Sequence, residues 1–502
     1  MCGVVGQYGQ PDVAMAERML ARLGHRGPDG EGTAAFSHSW LGHRRLAIVD
    51  PAGGAQPLFN EDRSLAVAAN AEIYNHEELR RRMPGHSLTS GSDNEVIVHL
   101  LEREPPATID RLDGMYAFCC AGESRFVAAR DPVGIKPLYW ADDRQRVVFA
   151  SEIGAFDRLL RAHVRLFPPG HYWTPTEGLV RFAAPAEPWP HCLNGDEDAP
   201  PQKLLDRLRT LLVRAVRSHM LGDVPIGVLL SGGLDSSLIA AIAARAAAER
   251  GVRLKSFSTG LPGSPDLAAA RTVADHLDTE HHECIYSADH LIDALPAAIA
   301  AVESFEPALV RGAVPNYLLA EEAARHVKVV LCGEGADELF GGYDYLRAFG
   351  TGPELHGELM HLVGGLHKLD LQRTDRVTMA HGVEARPPFL QRDVVSFALS
   401  LPGDWKLSGG AGIEKSILRR AFKGWLPDPI LWRRKAQFGD GSGASSVLRE
   451  AARHLAATGL DSARASVDPG LRSLEEVVYR RIFDERFDGV RPEGLLGRFA
   501  TA

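Results

Sequence analysis

The feature that most limits how this chain can fold lies near its middle. Val224-Pro225-Ile226-Gly227-Val228-Leu229-Leu230 reads as a buried strand, and it runs straight into Ser231-Gly232-Gly233-Leu234-Asp235-Ser236-Ser237 and then a helix. The turn makes an anion site. Backbone N–H groups converge there, the helix dipole faces it with its positive end, and glycine lets a phosphate approach closely. It is not a Walker loop, which needs G-x-x-x-x-G-K-[ST]. Taken alone, Ser-Gly-Gly is equally a plain turn and Asp235 equally a helix-capping acid; the complete string is more specific.

Around this loop, helical and strand patterns alternate: helix 204–219, strand 226–230, helix 236–250, strand 254–258, helix 266–276, helix 315–326 and strand 327–331. Such alternation predicts a parallel sheet covered by helices. The chain before residue 182 has another texture. Short strands at 65–69, 117–120, 126–129 and 147–150 are separated by Gly, Pro and Asn/Asp turns. Helices are expected at 12–23 and 92–102, the second opened by Ser92 with Glu95 at capping-box spacing. Residues 183–203, rich in proline and polar side chains, read as a linker between domains 1–182 and 204–502. From about residue 442 the pattern is helical and then loose.

A chain of 502 residues suggests about three domains, or two large ones. The net charge of -9 argues against nucleic acid as the main partner. No apolar run is long enough to suggest a membrane span, and the start lacks a secretory pattern. Cys2, Cys119, Cys120, Cys192, Cys284 and Cys332 form no CxxC pair, so the cysteines suggest neither a zinc site nor a disulfide framework. A reducing, cytoplasmic setting is expected.

Cys2 directly follows Met1. Once Met1 is removed, one residue holds both a thiol and an α-amine, whose reference pKa of about 7.7–8.0 makes it a base near neutrality. A second-position cysteine is often incidental, but its neighbours change the reading. His25-Arg26-Gly27-Pro28-Asp29-Gly30, His43-Arg44-Arg45-Leu46-Ala47-Ile48-Val49-Asp50, Asn70-Ala71-Glu72-Ile73-Tyr74-Asn75 and Gly91-Ser92-Asp93-Asn94-Glu95 follow in order. Together they resemble the glutaminase half of the glutamine-hydrolysing asparagine synthetases, which are class-II amidotransferases with an N-terminal nucleophile.

The resemblance implies an αββα sandwich in which Cys2 attacks the amide of glutamine. The Asn70 side chain and the backbone N–H of Ala71 would hold the oxyanion. Arg45 would take the substrate carboxylate bidentately, Glu72 and Asp93 its ammonium, and Ile48 and Val49 would complete the glutamine site. The family usually has glycine where this chain has Ala71. Alanine keeps the N–H but is strained if the position needs positive φ.

The second half extends the likeness. Ser231 to Ser237 looks like the pyrophosphate loop of the ATP pyrophosphatases, which split ATP between its α- and β-phosphates. The further segments are Gly260–Asp266, Gly333-Glu334-Gly335-Ala336-Asp337-Glu338-Leu339-Phe340-Gly341-Gly342-Tyr343, Asp375-Arg376, Gly382–Arg386 and Lys435. They resemble the synthetase half of the same family, an α/β domain of the PP-loop type with a parallel sheet. Leu230, Ser231, Gly232, Gly233, Asp235, Ser236, Thr259 and Gly333 would then bind ATP. Asp235 and Asp337 would hold Mg²⁺, Lys435 would stabilise phosphate charge, and Glu334 would take the proton as ammonia adds to an acyl-adenylate. Out of context, Glu334 and Asp337 are equally helix-start acids, and Lys435 is equally a solvated member of Arg433-Arg434-Lys435.

Aspartate is the expected acceptor. Ala308, Pro387 and Gln391 depart from the family pattern near the acceptor side, so a different carboxylic acid is the alternative. Ring closure of the β-lactam synthetase type is a second alternative, disfavoured because it needs no glutaminase while Cys2, Arg45, Asn70 and Asp93 are all present. A non-catalytic sensor is a third, disfavoured by Asp235, Glu334 and Lys435. The chemistry calls for an enclosed ammonia path between the halves, and family habit suggests a homodimer.

Overall fold

Twelve strands precede residue 182: β1 Gly3–Gly9, β2 Gly30–Phe36, β3 Ser39–Arg45, β4 Leu58–Phe59, β5 Leu65–Ile73, β6 Gly114–Gly122, β7 Phe126–Arg130, β8 Tyr139–Asp142, β9 Arg146–Ala150, β10 Arg165–Leu166, β11 His171–Thr174 and β12 Gly178–Arg181. In this computed structural model, which describes residues 2–185, 200–407, 413–435, 438–459 and 471–499, they form two antiparallel sheets. One has the order β10-β8-β9-β1-β3-β2 and the other β12-β11-β7-β6-β5-β4. Between them lie small residues (Ala66, Ala68, Ala117, Cys119, Ala128) and a ring cluster of Phe126, Phe149 and Trp173. Small side chains on facing strands let the sheets approach, and the aromatics fill the remaining space.

Helix α1, Val13–Ala21, buries Met15, Met19 and Leu20 against the outer face of the first sheet. Asp12 caps it by accepting the Met15 N–H. On the outer face of the second sheet lie α2, His76–Arg81, and α3, Glu95–Arg103, the latter burying Val96, Ile97, Leu100 and Leu101. The layers are therefore helix, sheet, sheet, helix.

The capping box expected at Ser92 does not form. Asn94 precedes the first turn of α3 without a side-chain cap, and the Glu95 carboxylate accepts the N–H and hydroxyl of both Thr89 and Ser90. Asp93, drawn to the N–H of Ile73 at the end of β5, moves the helix start past Ser92.

After the linker come α4 Gln202–His219, β13 Ile226–Leu229, α5 Leu234–Ala248, β14 Lys255–Gly260, α6 Pro265–Leu277, β15 Glu280–Ile285, α7 Ala288–Val302, α8 Pro307–Ala324, β16 Val329–Leu331, α9 Ala336–Phe340, α10 Pro353–Gly365, α11 Asp370–Met379 and β17 Glu384–Arg386. The five strands form a parallel sheet ordered β15-β14-β13-β16-β17. Helices cover both faces: α4 and α5 pack in one core, while Leu319 and Ala323 of α8 pack against Phe257 and Val330 in another. The chain order reverses between β13 and β16, and the crevice at such a switch point is where open α/β sheets bind ligands.

The helix expected at 315–326 belongs to the longer α8. It starts at Pro307, where Glu306 caps the Leu309 N–H, and Pro315 lies inside it. Two late helices, Ala444–Gly459 and Leu474–Arg486, place Leu448, Tyr479 and Phe483 in one core with Met15 and Met19 of α1 and Leu291 and Ile299 of α7. The C-terminal segment thus packs both halves together; its first helix was expected, and the second, Leu474–Arg486, falls where the pattern read as loose. Most of the linker lies outside the described residues. Among the described residues, no helix is long and apolar enough to cross a membrane.

Candidate active sites

Cys2 stands at the entrance to β1 and is buried. Its N–H donates to Asn70 Oδ1 at 3.0 Å, and its carbonyl accepts from Arg26 Nε at 3.0 Å. Burial pushes the thiol up, and the positive charge at the chain's amino terminus pulls against that shift. Asn70 Nδ2 is buried with no hydrogen-bond partner. An orphaned buried donor is costly, and one beside a nucleophile fits a hole awaiting an oxyanion. Ala71 lies within β5, outside the positive-φ residues, so alanine is unstrained there and the concern about lost glycine falls away.

A pocket of about 300 Å³ opens beside Cys2, lined in part by Arg45, Gln56, Ala71, Glu72, Ser92 and Asp93. Carbonyls of Val49, Asp50 and Pro51 accept from the Arg45 guanidinium and aim it. Ile48 and Val49 also border the pocket, but the Ile48 side chain packs against Leu46, Val329 and Met379. What Ile48 offers this region is backbone. Its carbonyl accepts the Asp223 N–H at 2.9 Å, which ties the glutamine-side loop to the other half.

Glu72 is paired with Arg386 Nη2 at 3.0 Å and is held well above the usual carboxylate range by burial. Burial pushes Asp93 up to about 6 against the hydrogen bond from the Ile73 N–H.

The second site lies at the switch point. Leu230 donates its N–H to Phe257 O, and the loop then turns at Gly232, whose φ is +70°. A Cβ on Gly232 would lie 2.5 Å from Ala269 Cβ and from the Ala270 N of α6, so only glycine fits. Ser231 and Ser236 hydroxyls lie 3.0 Å apart across the loop, leaving Gly233 at the start of α5. Thr259 is the penultimate residue of β14, with its hydroxyl on the Cys284 carbonyl, and Gly333 follows β16 close against Asp235 and Ser236.

Asp235 and Asp337 face each other across this crevice with two lysines between them. Lys415 Nζ contacts Asp235 Oδ2 and lies 2.6 Å from Asp337 Oδ1, while Lys435 Nζ contacts Asp337 Oδ2. Burial raises Asp235, with Lys415 opposing, and the two ammonium groups hold Asp337 below the usual range despite burial. Asp235 Oδ1 is buried without a hydrogen-bond partner. Two carboxylates with a free oxygen suit a hard divalent cation such as Mg²⁺. Glu334 accepts from Arg373 Nη2 at 2.9 Å and from Thr374 Oγ1 at 2.8 Å, both on α11. The next residue on that helix, Asp375, takes both terminal nitrogens of Arg26, at 2.9 and 3.2 Å.

The structure thus gathers the expected residues into two places and adds three that sequence reasoning missed. Lys415 stands in no motif and is legible only through its contacts. Arg386 and Arg26 stood inside the quoted motifs, but nothing local showed that one meets Glu72 and the other the Cys2 carbonyl. Gln391 is not among the residues that line the Cys2 pocket. It donates to Asp113 Oδ2 and accepts from Ser218, so it joins the halves.

Comparison with known families follows the same division. The family described as "Glutamine amidotransferase domain" matches residues 1–174, and "Asparagine synthase" matches 207–353 and 346–493. The class defined is a glutamine amidotransferase with an N-terminal nucleophile domain joined to a synthetase domain. An asparagine synthetase [glutamine-hydrolyzing] of Sandersonia aurantiaca is 40% identical over 97% of this chain and 96% of its own length. Asparagine synthetase [glutamine-hydrolyzing] 3 of Arabidopsis thaliana is 40% identical over 97% and 87%. This chain belongs to the glutamine-hydrolysing asparagine synthetase family. A solved glutamine phosphoribosylpyrophosphate amidotransferase from B. subtilis overlaps 56% of this chain and 66% of its own at 20% identity and a TM-score of 0.32.

Proposed function

We propose that this protein transfers the amide nitrogen of glutamine to aspartate, driven by ATP, giving asparagine, glutamate, AMP and pyrophosphate. The observation that carries the reading is α11. Its consecutive residues Arg373, Thr374 and Asp375 reach Glu334 at one site and, through Arg26, the Cys2 carbonyl at the other.

At the first site the Cys2 thiol loses its proton to the α-amine that removal of Met1 frees. The sulfur attacks the glutamine amide carbon, and Asn70 Nδ2 with the Ala71 N–H takes the oxyanion. The α-ammonium returns its proton to the departing nitrogen, ammonia leaves, and water, deprotonated by the same amine, frees glutamate from the thioester. Arg45 holds the substrate carboxylate, and Asp93 and Glu72 its ammonium.

At the second site Ser231, Gly232, Gly233 and Ser236 cradle the phosphates, while Leu230, Thr259 and Gly333 border the adenine at the strand ends. Asp235 and Asp337 would hold Mg²⁺, which neutralises phosphate charge when bound. The aspartate side-chain carboxylate attacks the α-phosphorus and pyrophosphate departs toward Lys435. Ammonia then adds to the acyl carbon, Glu334 accepts a proton, and AMP leaves.

The trimmed protein, incubated with glutamine, ATP and a panel of carboxylic acids, tests this by mass spectrometry. Asparagine is the expected amide, and preferential amidation of another acid would overturn the choice of acceptor. The reading also carries a division into domains 1–182 and 204–502, a homodimer and a cytoplasmic setting, open to limited proteolysis, light scattering and cell fractionation.

A further inference from the structure

One group of ligating side chains lies outside both sites, beside α3. Glu61 comes from the turn between β4 and β5, His86 from the loop after α2, and His99 and Glu102 from one face of α3. One ligand atom from each lies within 4.8 Å of all the others. His86 Nδ1 is 3.2 Å from Glu61 Oε1, 3.4 Å from Glu102 Oε2 and 3.2 Å from His99 Nδ1. His99 Nδ1 is 3.5 Å from Glu61 Oε2 and 3.8 Å from Glu102 Oε2. A tetrahedral ion bound at about 2.0–2.1 Å sets its ligand atoms roughly 3.3–3.4 Å apart, close to the spacing of His86 Nδ1 from its three neighbours, while Glu61 meets the two rings through different oxygens.

We infer that Glu61, His86, His99 and Glu102 form a closed, four-ligand site for Zn²⁺ that staples the glutaminase domain.

Three further observations support it. The two Nδ1 atoms face each other, an arrangement a metal satisfies from both rings at once; in its absence one ring must donate and the other accept. Glu102 Oε2, which points at both rings, is buried and has no hydrogen-bond partner. Neither Glu61 nor Glu102 pairs with an arginine or lysine among the described residues, so no fixed cation already neutralises the pair. Two imidazoles and two carboxylates give a neutral complex with a divalent ion, and imidazole donors favour zinc over magnesium or calcium. His99 Nε2 lies 3.8 Å from Glu95 Oε1, beyond hydrogen-bond distance, and is buried without a partner. The second His/Glu group, Glu280, His282 and His326, is weaker, because Lys255 already contacts Glu280.

The position suggests the purpose. Glu95 fastens the Thr89–Ser90 loop, and Asp93 of the glutamine pocket lies between that loop and α3. A metal joining 61, 86, 99 and 102 fixes the same loop from its other end. Because the His99 side chain is 1% exposed, substitution there risks the fold; Glu61, 34% exposed, serves better, and His86, at 7%, provides the second variant.

The test uses the full-length protein, stripped with a chelator, dialysed and titrated with Zn²⁺ or Co²⁺ alone. The expected results are one equivalent of zinc per chain, a rise in Tm on zinc addition and the intense visible bands of tetrahedral Co²⁺. His86→Asn and Glu61→Gln should each weaken zinc binding by more than about tenfold, since structural sites depend on every ligand. Zinc bound equally by wild type and the double variant would place the ion elsewhere and overturn the inference. Absence of tetrahedral cobalt bands, or no bound zinc at all, would leave a hydrogen-bonded His–Glu cluster and overturn it too. Neither outcome depends on which acid the enzyme amidates.

Discussion

Replacing Lys415 with methionine isolates the charge that joins the two acids of the nucleotide site. Its side chain is 2% exposed and its ammonium touches Asp235 and Asp337 together. Methionine keeps most of the stem and removes the charge. Stripping one partner from a buried ion pair costs about 3–5 kcal/mol, because the remaining charge is left uncompensated. Part of that cost is relieved here, since Asp235 is already shifted toward its neutral form and can take a proton. A loss of preorganised electrostatic stabilisation of about 2.7–4 kcal/mol corresponds to a fall of about 10²–10³ in rate. The expected result of Lys415→Met is therefore AMP formation reduced by that factor. Glutamine hydrolysis should stay within about threefold, because Lys415 lies outside the Cys2 pocket. Continuous pyrophosphate release and glutamate production, measured on the same sample, separate the two activities. A well-folded variant that forms AMP at the wild-type rate would refute the assignment of Lys415 to this site.

Further outcomes follow from other contacts. Asp93 must be ionised to hold the glutamine ammonium, and its pKa is pushed up to about 6 by burial, so kcat/KM for glutamine should fall as pH drops below about 6. The same sign makes the ionised side chain a burden on the fold above that pH, since the folded state binds the proton more tightly than the unfolded chain. Asp93→Asn should therefore lose glutamine turnover yet melt higher at pH 7; a lower Tm would contradict this. Ala71→Gly should leave glutaminase activity within about twofold and cost roughly 0.5–1 kcal/mol of stability, read from urea melts, because Ala71 sits in a strand without positive φ. Gly232→Ala should abolish ATP-dependent turnover while sparing glutamine hydrolysis, because the new Cβ would strike α6. Asp375→Leu takes one of two carboxylates from the buried Arg26, which keeps Glu152, and one partner from Arg376; it should destabilise by up to about 3–5 kcal/mol, read from denaturant unfolding, and retention of wild-type stability would show that neither arginine needs it.

The parallel half was legible because its strands and helices carry their own periodicity, and because the glycine loop demands a helix start beside a strand end. Two of its edge strands were not. β15, Glu-His-His-Glu-Cys-Ile, shows neither alternation nor an apolar run, and β17 is only three residues long. Both are strands because a neighbour supplies the backbone hydrogen bonds, which no local pattern records. The residues around Cys2 were readable as chemistry, since glutamine's three polar groups each call for a distinct partner. What joins the sites was not readable. Arg26 meets Asp375 across 349 residues of chain, and Lys415 meets Asp235 across 180. The failed capping box at Ser92 shows the same limit at short range, where Asp93 gives up the helix start to bond Ile73.

The most direct test of the account follows one nitrogen atom. Glutamine labelled at its amide nitrogen is supplied with ATP and aspartate in the presence of excess unlabelled ammonium salt. Nitrogen released at Cys2 and carried within the protein to the primed acid should appear as label in asparagine, with one AMP formed for each. Label recovered only in free ammonium, with unlabelled asparagine or none, would contradict the account.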